Sequence, residues 1–257
     1  MISIDRVSQA FPMARGGRHL ALSEVSLDIQ DGEFISILGP SGCGKSTLLY
    51  IVGGFVRQSG GTVAIDGRPV TGPGPDRGPV FQEFALFPWH TVLGNVAYGL
   101  LQQGAGKAVA EARARELLSM VGLAGYESFY TKQLSGGMKQ RVAIARTLAY
   151  NPSVLLMDEP FGALDAHTRH RLQNDLLHIW ERDRKTVLFV THSVDEAVFL
   201  SDRVVVMTPS PGRIREIVRI DLPRPRVRAE LLLNPAYQKY VIDIEAMIDV
   251  LPEQEAR

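Results

Sequence analysis

At 257 residues, 45% of them hydrophobic and 22% charged, the chain is long enough to bury a full core and has the balance of an ordinary globular protein. Twenty-eight basic residues offset twenty-eight acidic ones, so no net field favours nucleic acid or an anionic membrane, and only a local basic groove is left open. The single cysteine, Cys43, excludes an intrachain disulfide framework and fits a reducing compartment. No apolar run approaches the about eighteen residues of a membrane helix. The start Met1-Ile2-Ser3-Ile4-Asp5-Arg6 lacks the basic-then-apolar form of a signal peptide. The expectation is a soluble chain that any membrane role would tie to a partner.

Residues 2–7 and 21–29 alternate apolar and polar side chains and read as strands. Phe11 lies between them, in a segment bounded by Pro12 and Gly16-Gly17. An aromatic there can stack on an adenine ring or simply pack, and the local pattern favours packing. Phe34-Ile35-Ser36-Ile37-Leu38 reads as a buried strand and runs into Gly39-Pro40-Ser41-Gly42-Cys43-Gly44-Lys45-Ser46-Thr47. That stretch has the P-loop spacing: a glycine, four free positions, then Gly-Lys-Ser. Gly39, Gly42 and Gly44 let the backbone turn its N–H groups into one concavity, a nest for phosphate oxygens. Lys45 brings a full positive charge for the β- and γ-phosphates, and Ser46 offers a hydroxyl to Mg²⁺. The run continues to Val52 as a helix whose N-terminus faces the phosphates. These residues predict a nucleotide site. Cys43 sits in the cradle beside Lys45, whose charge is expected to favour the thiolate.

Residues 62–65 then read as a short strand, closed by a turn at Asp66-Gly67. The Gly- and Pro-dense stretch 71–79 is expected to be loop, with a strand at Val80-Phe81 running into Gln82. Helical spacing over 92–103 and 106–121, and a further helix from Met138 to about Tyr150, predict a helical insertion. Strands at 154–157, 186–190 and 204–207 alternate with helices at 166–184 and 194–200, which argues for a mainly parallel α/β sheet. A late strand is expected at 213–220 and a helical tail from 227 to about 250. The spacer Leu222-Pro223-Arg224-Pro225-Arg226 between them reads as an anion site or, more readily, a solvated linker.

A P-loop needs a carboxylate for the Mg²⁺ shell, and the strand Val154-Leu155-Leu156-Met157 ends in Asp158. Ligands in open α/β sheets sit where such strands end. Glu159 then falls beside the γ-phosphate, where a carboxylate can orient and polarise the attacking water. Gln82 ends a strand and its amide can reach Mg²⁺ or that water; alone it is an ordinary polar residue. His192 follows a strand and can donate to the γ-phosphate, or serve as a surface or structural histidine. Ser135-Gly136-Gly137, opening a helix, form a second anion-binding terminus. Two nests in one chain mean either two ligands or one ligand shared between two chains.

In this order and spacing the motifs resemble the ATPase subunits of ABC transporters over nearly the whole chain. Residues 39–47 correspond to Walker A, Gln82 to the Q-loop and Leu134-Ser135-Gly136-Gly137-Met138-Lys139-Gln140 to the signature. Residues 154–159 correspond to Walker B, Ala163-Leu164-Asp165 to the D-loop and His192 to the switch histidine. Phe11 falls roughly where the family has an adenine-stacking aromatic. Phe87-Pro88-Trp89-His90-Thr91-Val92 with Asn95-Val96, Ser193 to Leu200, and Pro209-Ser210-Pro211-Gly212-Arg213-Ile214 are similar to the nitrate/sulfonate/taurine importer group.

The resemblance implies a P-loop (RecA-like) α/β core over 1–86 and 151–222 with an N-terminal antiparallel β part. It also implies a helical subdomain over 87–150 carrying the signature, and a C-terminal helical tail over 223–257. It implies ATP and Mg²⁺ as cofactors. Ser46, Gln82 and Asp158 would serve the metal, Glu159, His192 and Gln82 catalysis. The cradle residues, Phe11, Ser135, Gly136, Gly137, Gln140 and Asp165 would bind nucleotide. The two nests then belong to one ATP, closed between two copies paired head to tail. The partners implied are permease subunits that span the membrane and an extracytoplasmic solute-binding protein, with no nucleic acid. The place implied is the cytoplasmic face of the bacterial inner membrane. The function expected is ATP-driven import of a small solute such as nitrate, sulfonate or taurine. The alternative is a soluble ABC-type ATPase acting on nucleic acid or ribosomes; such proteins typically carry two cassettes or a long coiled coil, and this chain has neither.

Overall fold

The alternating N-terminal pattern builds a long antiparallel hairpin, β1 (Ile2–Pro12) against β2 (Arg18–Ile29), in which Ile2 faces Ile29 and Pro12 faces Arg18. The computed structural model describes residues 1–13, 16–162 and 164–249, and the chain divides into two units, Met1–Gly74 with Thr186–Arg257 and Pro75–Lys185. The hairpin is longer than the periodicity suggests, so Phe11 is a strand residue, paired with His19. Next come β3 (Phe34–Leu38), the P-loop, α1 (Lys45–Val52), β4 (Gly60–Ile65) and β5 (Arg68–Pro69). The Asp66-Gly67 turn joins the last two, completing an antiparallel sheet of order β2-β1-β4-β5.

The second unit begins with β6 (Arg77–Val80), then α2 (Val92–Gln102), α3 (Lys107–Met120), α4 (Gly136–Ala149), β7 (Val154–Asp158) and α5 (Ala166–Asp183). The strand at 77–80 corrects two expectations: part of the Gly/Pro-rich stretch is extended, and Phe81 lies beyond it. The reason is packing. A Cβ at Gly78 would meet Pro152 and Thr147 at 2.6 Å, so the glycine admits close neighbours rather than making a turn. Pro79 is tolerated because β6 is an edge strand, paired in parallel with β7 alone. The helix of the signature starts at Gly136, two residues before Met138, because Ser135 already caps it. The helical stretch 87–150 lies wholly within this unit.

Buried Asn95, on α2, organises the segment that precedes its helix. Its Oδ1 accepts from the Phe87 N–H at 2.8 Å, and its Nδ2 donates to the carbonyls of Phe87, His90 and Thr91 at 3.1, 3.2 and 3.0 Å. Thr91 caps the same helix, its hydroxyl accepting from Gly94 at 3.1 Å. One amide thus replaces the secondary structure that 87–91 lacks.

The chain returns to the first unit with β8 (Thr186–Val190), α6 (Val194–Leu200), β9 (Arg203–Met207), β10 (Ile214–Arg219), α7 (Arg228–Leu231) and α8 (Pro235–Asp249). Strands of this unit run in the order β10-β9-β3-β8, with β9, β3 and β8 parallel and β10 antiparallel at the edge. All five residues of β3 and of β8 are buried, as strands covered on both faces must be. Ser36, the one polar residue of β3, bonds the Ser201 hydroxyl. The tail forms two helices rather than one, because Asn234 and Pro235 start a new one: the Asn234 side chain accepts from Ala236 at 2.9 Å. Arg224 and Arg226 are not solvated, nor held ready for an anion. Their guanidinium groups are spent on backbone carbonyls at the end of α6. Residues 250–257 of the expected tail lie outside the described residues. No helix among the described residues is long and apolar enough to cross a membrane.

Replacing Asn95 with alanine removes the partner of the Phe87 N–H and the side-chain donor to the His90 carbonyl, while the Phe87 and Thr91 carbonyls keep backbone donors, a cost on the order of 2 kcal/mol. The expected outcome is a lower denaturation midpoint and faster proteolysis between residues 84 and 91 than in the native chain.

Candidate functional site

The P-loop leaves β3 at its carboxyl end and turns into α1, with Gly44 at φ 93° as the residue before the helix. No larger residue fits there: a Cβ on Gly44 would lie 2.6 Å from Leu22 and 3.0 Å from the Ala21 carbonyl. The Lys45 ammonium folds back onto its own loop, donating to the carbonyls of Gly39 and Pro40 at 2.8 and 3.0 Å. Its side chain is buried together with that of Cys43. Burial pushes the Cys43 thiol above its ordinary range; the charge of Lys45 pulls it down and loses. The expectation of a favoured thiolate is therefore wrong, because desolvation outweighs a cation whose Nζ is 3.9 Å from the sulfur and already engaged.

The loop is held from behind by backbone. Gly212, in the segment linking β9 to β10, lies so close that a Cβ there would be 1.9 Å from the Cys43 carbonyl oxygen. Two hydrogen bonds lock it to β2, Gly212 donating to Ala21 at 2.9 Å and accepting from Ser23 at 3.0 Å. Nothing in the local reading of Pro209–Ile214 pointed to this; the signal was a lone glycine after a proline, which ordinarily means a turn.

His192 emerges at the carboxyl end of β8, the parallel neighbour of β3, where Ile37 pairs with Val190. Strand β3 therefore delivers the cradle and β8 the histidine at the same edge of one sheet. Thr191 beside it donates to Glu196 at 2.6 Å, and the Ser193 hydroxyl caps α6, accepting from the Glu196 N–H at 3.3 Å. His192 itself is exposed. Phe11 is 37% exposed, an aromatic face open to a ring.

In the second unit Asp158 ends β7 as a buried carboxylate, 1% exposed. Glu159 follows at φ 44°, a left-handed conformation rare for such a residue and costing on the order of 1 kcal/mol. Its carbonyl accepts from Gly162 at 3.1 Å, closing the turn. Asp165 caps α5, accepting from the Thr168 N–H at 2.9 Å, and this bond holds its carboxyl below the usual range. Ala163 lies outside the described residues. Ser135 caps α4, its hydroxyl accepting from Met138 at 3.3 Å, and Gly136 and Gly137 present the first N–H groups of that helix, which have no intrahelical acceptor. Gln140 is buried, its Nε2 without a hydrogen bond among the described residues. Gln82 is exposed just past β6.

Two arginines escaped the sequence reading. Arg146, on α4, donates to the carbonyls of Ala85 and Phe84 at 2.6 and 3.3 Å and so fixes the loop after Gln82 to the signature helix. Arg169 donates to the carbonyls of Phe161 and Leu164 at 3.3 and 2.9 Å, bracing the turn after Glu159. Arg146 acts on backbone some sixty residues away, and Arg169 on a turn a few residues before its own helix; no hydrophobic periodicity announces either.

Among the described residues no cluster of His, Cys, Asp and Glu forms a metal centre by itself. Ser46 in the first unit and Gln82 and Asp158 in the second each offer a hard oxygen, the donor type Mg²⁺ takes.

A glycine cradle opening a helix at the end of a buried parallel strand defines a P-loop nucleotide-binding protein. The profile of the ABC transporter family matches residues 22–162. An uncharacterized ABC transporter ATP-binding protein of Methanocaldococcus jannaschii, MJ0412, is 53% identical over 95% of this chain and 90% of its own length. The nitrate import ATP-binding protein NrtC of Synechococcus elongatus is 48% identical over 92% of this chain, though over only 36% of its own length. Among solved structures, the dimeric post-hydrolysis state of the ATP-binding cassette MJ0796, bound to ADP and Pi, is 35% identical with a TM-score of 0.79, covering 87% of this chain and all of that one. The chain belongs to the ABC transporter family, as an ATP-binding cassette that hydrolyses ATP.

Gly212→Ala has an ordinary backbone conformation to adopt, so its effect is the Cβ pressed on the Cys43 carbonyl, with the flexible Met207 side chain 2.9 Å away able to give. Relieving a 1.9 Å contact takes a shift of about 1 Å or more, which is expected to weaken ATP binding by about tenfold or more, read by nucleotide titration. Native affinity in this variant would show that the loop yields without cost.

Proposed function

We propose that this ATPase powers import of a small solute, an anion of the nitrate or sulfonate kind or taurine, as one of two copies beneath permease subunits that span the membrane. The reading as a small-anion importer is supported by the 48% identity with a cassette named for nitrate import and 47% with one named for bicarbonate transport, and the nitrate/sulfonate/taurine choice by the motif resemblance. A solute-binding protein on the far side delivers the solute, and the cassette works at the cytoplasmic face.

In this reading the backbone N–H groups of Gly39 to Thr47, including Pro40, Ser41 and Cys43 as loop members, surround the phosphates, and Lys45 exchanges its carbonyl partners for phosphate oxygens. Phe11 stacks on adenine, adding about 1 kcal/mol. Ser46, Asp158 and Gln82 hold Mg²⁺, which supplies neutralising charge at the β- and γ-phosphates. Ser135, Gly136, Gly137, Gln140 and Asp165 of a second copy complete the site, so that ATP joins two chains. Glu159 orients the attacking water and takes its proton, while His192 donates to the γ-phosphate. Its loss on hydrolysis removes the charge that the two helix termini share, and the pair opens. Support comes from the left-handed turn that fixes Glu159 just beyond Asp158 and from His192 following, after Thr191, the end of the strand beside the cradle strand.

Glu159→Gln is expected to bind ATP but to turn over slower by on the order of 10²-fold. Light scattering of this variant should show ATP converting monomer to dimer. Turnover within a few-fold of the native chain removes Glu159 from the base role, and an ATP-saturated monomer opposes the shared site. The solute class is tested separately, in vesicles carrying the complete importer. Stimulation of ATP turnover by nitrate, an alkanesulfonate or taurine supports it; no response to any of them rejects it.

A further inference from the structure

The helix that follows His192 is gripped along its length by the C-terminal segment. At its far end Arg226, 5% exposed, donates through one nitrogen to the carbonyls of Val198, Phe199 and Ser201 at 3.1, 2.9 and 2.9 Å. Arg224 donates to the Leu200 carbonyl at 2.8 Å and to Asp202 at 2.8 Å. These are the carbonyls that a helix end leaves without internal donors, at the negative pole of its dipole. At the near end the Asp195 carboxylate is held by Arg228 and by the Tyr237 hydroxyl, which also lies 3.2 Å from the Asp195 carbonyl. The Arg228 guanidinium further stacks 5.1 Å above the Phe199 ring. Helix α8 packs on α6 along the same face.

Only Ser193 separates His192 from α6, and the helix is tied back past the histidine as well. Glu196 accepts from Thr191 at 2.6 Å, and Thr191 is bonded in turn to the Ile37 carbonyl of β3 at 3.3 Å. The rotation and height of α6 therefore set where His192 points. Four side chains from residues 224–237 fix that rotation and height from both ends.

We propose that the C-terminal segment is a positioning device for His192, acting through α6, with Arg228 and Tyr237 as the residues that hold the helix at the histidine's end. The proposal rests on the reading of His192 as the group facing the γ-phosphate. A strut of this kind alters the chemical step more than binding, since the cradle that holds the nucleotide does not depend on it. It also makes the tail a place where a partner or a modification can alter turnover without reaching the nucleotide.

The test compares the native chain, His192→Ala, a tail variant carrying Arg228→Gln with Tyr237→Phe, and the combination of all three changes. Each is assayed for kcat, KM for ATP, ATP affinity and thermal midpoint. The tail variant is expected to lose about tenfold in kcat with KM and affinity within about twofold of native, because a small misplacement of a catalytic group acts on the transition state. In the His192→Ala background the tail changes should add nothing to the loss of kcat, while any drop in thermal midpoint remains. An equal further loss in that background overturns the inference, since the effect would then bypass the histidine. Native kcat in the tail variant beside an impaired His192→Ala overturns it while leaving the role of His192 intact. Native kcat in His192→Ala overturns that role first, and the inference with it.

Discussion

A loop whose N–H groups converge on phosphate oxygens cannot be supported by side chains from within, because the ligand needs that space. It has to be braced from behind by backbone. Here the brace is the contact of Gly212 with the Cys43 carbonyl, locked to β2 by two hydrogen bonds. Residues some 170 positions apart thus fix one turn of chain. The sheet order follows from the same need: β3 has to lie between β9 and β8 for its end to meet both the Gly212 segment and the histidine.

The second unit answers a similar demand with arginines. Arg146 and Arg169 each spend a guanidinium on two backbone carbonyls, of the loop after Gln82 and of the turn after Glu159. Arginine suits the task because its planar fork reaches two acceptors with little loss of freedom per bond. Asn95 does the same for 87–91 with an amide. The rigidity of these loops comes from a few polar side chains that bond loop carbonyls, with apolar burial holding the elements on either side.

Much of this was legible in the sequence. The cradle, the strand ending at Asp158, the helix opening at Ser135, and the alternation of strands and helices all depend on residues close together along the chain. Hydrophobic periodicity and cap chemistry report such things directly. What escaped depends on distant partners. Gly78 and Pro79 look like a turn until Thr147 and Pro152 are seen against them. Arg224 and Arg226 look like a solvated linker until α6 supplies its carbonyls. Cys43 looks activated by its neighbour until its burial is known. In each case the residue type was read correctly and its surroundings were not.

The Lys45 ammonium is solvated by its own loop, through the carbonyls of Gly39 and Pro40. In the proposed reading, nucleotide capture is an exchange of ligands around one ammonium, in which fixed carbonyl dipoles leave and phosphate oxygens arrive. Affinity is then the difference between two well-solvated states of that cation rather than the gain from pairing a bare charge, and a dipole-for-charge exchange favours polyphosphate over weakly charged anions that cannot displace two acceptors at once.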